Sequence, residues 1–210
     1  MQTKLRAIKI GTTDEVDIQA SEAGEMRVSQ FLPPYAQLCA AGKLFGINMC
    51  AGTAIAPKTS MPTTVAGYAI YNANPDGGAH IVLVHAAVTS ASGTMGLGLA
   101  LIGCVAIGAQ TQQVANYSGA IVSCLDGSAK KPNLFIATAV TLLGTQSAWQ
   151  VLAAGDQTAT AGVGTGRTAF ADGMLIVPPG GAIGLEVVAP TGTTALFDMY
   201  AIVAQVKLDT

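Results

Sequence analysis

Residues His80–Val88 read HIVLVHAAV, an apolar run interrupted only by its two histidines. The run is rich in β-branched valine and isoleucine, which favours a strand over a helix. Leu97–Ile107, LGLALIGCVAI, has the same character but is lightened by glycine. Both runs carry apolar or small side chains at successive positions, so both faces of each strand are apolar. We expect one face to pack inside a sandwich and the other to need a cover.

Seven further runs also look like strands, and turn signals such as Asn74–Gly78 and Asp126-Gly127 separate most of them. No stretch shows a sustained helical periodicity flanked by caps. The chain is therefore predicted to be all-β, a jelly-roll-like β-sandwich with an extended N-terminal arm. The nine predicted strands are Tyr68–Asn72, His80–Val88, Leu97–Ile107, Ala120–Leu125, Asn133–Val140, Trp149–Ala153, Met174–Val177, Ala182–Val188 and Ala195–Leu208.

Charge is concentrated near the N-terminus. Residues 1–27 hold nine of the 22 charged side chains, whereas residues 28–129 hold only four. The prolines between residues 31 and 64 make that stretch a poor helix. We predict an N-terminal arm and extended segment over residues 1–64 and a β-sandwich body over 65–210. We expect the charged N-terminal part to be solvated by water or to meet a polar partner.

The composition excludes several classes of protein. Half of the residues are hydrophobic and only 10% are charged, against about 25% charged in typical soluble domains. Disorder is excluded, and a net charge of −2 argues against a nucleic-acid partner. No cleaved secretion signal is expected, and the longest apolar run, Met95–Ala109, is too short to cross a membrane. Because the strands carry so little charge, their outer faces need a cover, and we predict that copies of the chain supply it in a homo-oligomer. The alternative is a monomer with a neutral surface of Ala, Gly and Thr.

No catalytic or metal-binding pattern stands out. Gly162–Thr168 is glycine-rich and ends near a cation, but it leads into a strand, so we interpret it as an inter-strand loop rather than a phosphate loop. His80 and His85 are five residues apart on one strand, which predicts that they point to opposite faces and share no ion. The four cysteines show no C-x-x-C pair and are predicted to be reduced structural thiols, with disulfides as the alternative. We predict no enzyme activity, no cofactor and no metal.

Four residues are candidates for a subunit interface. Trp149, the only tryptophan, is predicted to anchor the core or an interface. Phe197 and Tyr200 lie in the last strand, where aromatic residues fill a core or an interface. Arg167 is a candidate for a salt bridge between subunits.

Residues 173–210, GMLIVPPGGAIGLEVVAPTGTTALFDMYAIVAQVKLDT, form a strand, a Pro-Gly turn, a strand, a polar turn and a long closing strand. This order resembles the end of trimeric jelly rolls of the tumour-necrosis-factor type, and of β-sandwich structural proteins of tailed bacteriophage virions. The residues that carry the resemblance are Pro178–Gly181, Leu185, Val187, Phe197, Tyr200 and Ile202.

The resemblance implies a virion structural protein, either a capsid decoration or a coat or tail component. Such a protein would form a homotrimer, reside in the virion and dock on other virion proteins through its N-terminal arm. The alternative is a carbohydrate-binding or adhesive β-sandwich module. An enzyme of cupin-like shape is a third option, but it needs two or three histidines on one sheet face.

Overall fold

The structure is a computed structural model that describes residues 6–8, 15–17, 35–49, 54–108, 121–128, 133–156 and 166–208. Before residue 35 it describes only the backbone of two paired strands, β1 Arg6–Ile8 and β2 Glu15–Asp17. The rest of the predicted arm up to residue 34 lies outside the described residues. A short helix, α1 Ala36–Ala40, follows.

Two antiparallel sheets of six strands pack against each other. The first sheet contains β4 Val65–Asn72, β6 Leu99–Ile107, β8 Leu134–Thr141, β9 Thr145–Gln146, β10 Gln150–Gly155 and β13 Ala182–Val188. The second sheet contains β3 Leu44–Asn48, β5 His80–Ser92, β7 Ile121–Ser123, β11 Gly166–Phe170, β12 Ile176–Val177 and β14 Leu196–Val206. The strand orders are β10-β6-β13-β4-β8, with β9 beside β6, and β11-β5-β14-β3-β7, with β12 beside β5.

The pairing of the strands is nested. The first long strand, β3, pairs with the last, β14, and β4 pairs with β13. Further in, β5 pairs with β11 and β6 with β10. This is the strand order of a jelly roll, in which one long hairpin folds over into two sheets. The predicted all-β sandwich is confirmed.

The core lies between the two sheets and is built by alternation along the strands. Tyr68 of β4 and Phe197 of β14 are both fully buried, and the Tyr68 hydroxyl donates a hydrogen bond to the Phe197 carbonyl at 3.3 Å. On β14 the buried side chains alternate with the more exposed Asp198, Tyr200 and Ile202. Phe197, one of the four interface candidates, is therefore a core residue.

The sandwich begins earlier than the boundary predicted after residue 64. One compact unit spans Leu38–Thr210, and β3 is one of its interior strands. Gly42, at φ 65°, ends α1 by donating its N–H to the Cys39 carbonyl, and this turn sends the chain into β3. The prolines of this stretch flank β3 without entering it, which explains why a Pro-rich segment contributes a strand. Within the described residues, no helix has the length and apolar character needed to cross a membrane.

A bulge in β5 corrects the prediction for the two histidines. Leu83 pairs with Val203 and His85 with Ile202, so Val84 is an extra residue in β5. The extra residue shifts the alternation by one, and His80 and His85 share the outward side of the second sheet. Five residues still separate them by about 16 Å along the strand, too far to ligate one ion.

Candidate functional site: the open face of the second sheet

The outer surface of the first sheet is covered by its own chain. Leu142 and Trp149, from the connection between β8 and β10, pack on a patch of small residues. Gly184 makes room for this cover, because a Cβ there would lie 2.7 Å from Leu142 Cδ1. The Trp149 indole Nε1 also donates to the Thr63 carbonyl at 3.4 Å. Trp149, the second interface candidate, thus anchors a cover within the chain.

The outer surface of the second sheet is apolar and exposed, and we call it the open face. Phe170 is 71% exposed, and Ile176, Leu196 and Tyr200 are between 37% and 40% exposed. Of the fifteen described residues that form this face, Asp198 is the only one with a charged side chain. We limit the open face to the part of this outward side around His85 and leave out the end of the sheet near His80; it comprises Gly46, Asn48, Val82, His85, Ala87, Thr89, Val122, Gly166, Thr168, Phe170, Ile176, Leu196, Asp198, Tyr200 and Ile202.

One row of residues crosses the open face from edge to edge. Strand register places Phe170 of β11 opposite His85 of β5, and His85 opposite Ile202 of β14. The row continues through Gly46 of β3 to Val122 of β7. At about 4.8 Å between strands, the row is about 19 Å long. It carries no formal charge while the histidine is neutral.

Three aromatic rings meet on the open face. The ring centroids of His85 and Phe170 are 5.0 Å apart at 59°, and those of His85 and Tyr200 are 6.4 Å apart at 60°. The Tyr200 phenol lies over Gly46, where a Cβ would come 2.7 Å from its hydroxyl oxygen. Burial raises the pKa of Tyr200, and the nearby Cys124 thiol raises it further. Tyr200 is therefore neutral and rests on the sheet as an apolar platform.

His85 lies at the centre of this cluster. Its Nδ1 is buried without a hydrogen-bond partner, so a proton there would have no acceptor. Burial lowers the pKa of His85. Both observations favour the neutral imidazole.

Of the four interface candidates, only Tyr200 lies on the open face. Arg167 makes its contacts within its own chain. Its guanidinium packs on Gly155 and donates a hydrogen bond to the Asp156 carbonyl at 2.8 Å, and these contacts connect β11 to the end of β10. Sequence patterns did not identify His85 and Phe170 as residues of an exposed face. Alternation over Thr168–Phe170 could have indicated a strand with Phe170 on its outer side. The alternation was missed, because Gly162–Thr168 was interpreted as an inter-strand loop.

Two clefts lie away from the open face. One, of about 510 Å³, is mostly apolar and lies beside Ala100, Ala154 and Val188 of the first sheet. The other, of about 460 Å³, is lined in part by Asp76, His80 and Lys207, and we call it the polar cleft. Within the described parts of the chain, no group of three or more His, Cys, Asp or Glu side chains is placed to hold a metal ion.

Comparisons with known proteins return no match. No family model fits this sequence, and no curated protein or solved structure resembles it at a significant level. The function of the chain must therefore be inferred from its strand pairing and from the chemistry of the open face.

Proposed function

We propose that this chain is a structural subunit of a virion, either a capsid decoration or a coat or tail component. It acts by associating with copies of itself through the open face, as a trimer, and it docks on other virion proteins through its N-terminal segment. The observation that carries the proposal is the near absence of charge on the open face. The order of strands and turns over residues 173–210, on which the expectation of a virion or trimeric jelly-roll protein rested, is in keeping with the same assignment.

The chemistry of the open face suits contact with a second copy. Around the three-fold axis of a trimer the same residues of all three copies come together, so every charge near the axis is repeated once per copy. The open face repeats only Asp198, which makes self-repulsion small. Phe170 and Tyr200 supply the exposed aromatic anchors that dominate the energetics of protein interfaces. A monomer of this size would leave a large apolar patch in water.

The test is the native mass of the purified chain at micromolar concentration, by light scattering after size exclusion. We expect a mass near three times 21.1 kDa, or a larger particle. Phe170→Asp places a carboxylate at the end of the central row and is expected to reduce the mass to that of a single chain. Leu97→Asp is the matched control, because Leu97 is 69% exposed but lies in a loop outside the open face; its mass should equal that of the unmodified chain.

Two outcomes contradict the proposal. A single 21.1 kDa species for the unmodified chain removes self-association. An assembly that Leu97→Asp disrupts and Phe170→Asp does not would place the interface elsewhere. In the first case, the next measurement is glycan binding by the purified chain, which tests the carbohydrate-binding alternative. The polar cleft, with its ionisable side chains, is the candidate site for that binding.

A further inference from the structure

We propose that His85 makes the association of the open face with a second copy sensitive to acid. The copies associate while the imidazole is neutral and separate when it takes up a proton. This inference depends on the proposed function, because it concerns the same face.

The position of His85 carries the inference. Its ring lies between Phe170 and Tyr200, the two exposed aromatic side chains of the face. A second copy that packs on these rings also closes over the imidazole between them. Because Nδ1 is already buried without a partner, an imidazolium there would be a buried cation with an unpaired N–H. Such a group is costly in an apolar interface.

The carboxylate on the neighbouring strand β14 lies far from this cation. Asp198 pairs with Thr89, four residues and about 13 Å along β5 from His85. Asp172, after β11, lies in an exposed turn, where water and salt screen its charge. Burial is the cause that lowers the pKa of His85.

Among the described residues, the other groups around His85 are uncharged. Tyr200 on β14 and Cys124 after β7 both have a pKa raised by burial, so both are neutral near pH 7. Phe170 and Thr168 on β11 and Asn48 on β3 carry no ionisable group. Protonation would therefore add one uncompensated positive charge per copy to the centre of the interface.

Linkage gives the direction of the effect. Covering His85 lowers its pKa below that of the separated chain, so the separated chain binds protons more tightly. Burial already lowers the pKa of His85 in the separated chain from the ordinary value of 6.5, so association is complete at and above pH 6.5 and weakens as the pH falls through that lowered pKa. Each His85 that takes up a proton on separation raises the dissociation constant by up to tenfold per pH unit.

The experiment measures the dissociation constant of the full chain by light scattering over a dilution series at pH 7.5, 6.5 and 5.5. We expect at least a tenfold rise between pH 7.5 and 5.5. His85→Phe keeps an aromatic ring beside Phe170 but does not titrate, so the association of this variant should be independent of pH. His85→Gln repeats the test with a polar side chain.

His80→Gln is the matched control, since His80 is the only other histidine of the chain. Glu186→Gln controls for a buried carboxyl whose pKa is raised. Both controls should keep the acid sensitivity.

The outcomes separate this inference from the proposed function. Chains that stay single at pH 7.5 contradict the proposed function, and this inference with it. Chains that assemble with the same dissociation constant at all three pH values overturn only the inference. It is also overturned if acid strengthens the association, or if His85→Phe remains as acid-sensitive as the unmodified chain.

Discussion

Glu186 on β13 has no exposed surface although it carries a carboxyl group. Its Oε1 accepts a hydrogen bond from the Val187 N–H at 2.9 Å, and Oε2 is buried without a partner. Burial raises the pKa of Glu186, and the N–H groups of Val187 and Gly67 together with the Lys58 charge offset only part of that rise. At this position the fold tolerates an ionisable group in an environment that disfavours its charged form.

The stability of the protein should therefore depend on the protonation of Glu186. A carboxyl with a raised pKa stabilises the fold fully below its unfolded value of 4.5, and that stabilisation is lost as the pH rises through the folded pKa. Glu186→Gln has the same shape and does not titrate. We expect the melting temperature of the unmodified chain to fall, relative to this variant, between pH 4.5 and neutral pH, by about 2–4 °C for each kcal/mol lost.

Thermal unfolding followed by circular dichroism at several pH values measures this difference. Asp76→Asn, at an exposed turn, is the control for the loss of one carboxylate. Parallel melting curves for the unmodified chain and Glu186→Gln across this range would contradict the prediction.

At the scale of the elements, the bulge in β5 determines which residues reach the open face. Before the bulge, Ile81 and Leu83 point into the core, and both are fully buried. After it, His85 and Ala87 point outward. If Val84 were paired in regular alternation instead of being bulged, the two halves of β5 could not both present their apolar residues to the core.

Deletion of Val84 is expected to leave the fold intact. The deletion joins Leu83 to His85, whose partners Val203 and Ile202 are adjacent on β14, so it restores a regular ladder and leaves every side chain of β5 on its present face. The deletion removes one buried valine, which should cost about 1–3 kcal/mol. Val84→Ala, which keeps the bulge and loses part of the same side chain, is the matched control.

Denaturant unfolding of the two variants makes the comparison. A deletion variant that does not fold, while Val84→Ala folds, would contradict the prediction that the two halves of β5 keep their register without the bulged residue.

At the scale of the whole molecule, the small number of charged residues determines how the proposed association of copies should respond to salt. The chain carries a net charge of −2 with 10% charged residues, and the open face contributes one carboxylate and no Lys or Arg among its described residues. Salt screens interactions between exposed charges but not the burial of apolar surface. An assembly through this face should therefore be nearly independent of ionic strength.

We expect the dissociation constant at pH 7.5 to change by less than about threefold between 0.05 and 0.5 M sodium chloride. Light scattering over the same dilution series used for the pH experiment provides the measurement. A weakening of tenfold or more in high salt would instead indicate an interface held by ion pairs, and would shift attention to the charged N-terminal segment.

The sequence predicted the parts of the fold that depend on local patterns. Tyr200 and Ile202 lie on the side of β14 opposite the core residue Phe197, as the alternation of a strand requires. The sequence analysis missed β3, because prolines made residues 31–64 look like an extended segment or loop. It also missed β11, because the glycine run before this strand was interpreted as a loop. The open face itself could be inferred only as an apolar surface in need of a cover.

The sequence by itself thus determined that this chain is all-β, that its strands are apolar on both sides and that few charged side chains are present to make their outer faces polar. Only the tertiary structure decided which sheet is covered by its own chain and which stays open. It also decided that His85, Phe170 and Tyr200 meet, although up to 115 residues separate them along the chain. The physical reason is that alternation is local, whereas register is set by the closure of distant strands. A single bulged residue then reverses the direction of every side chain that comes after it in the strand.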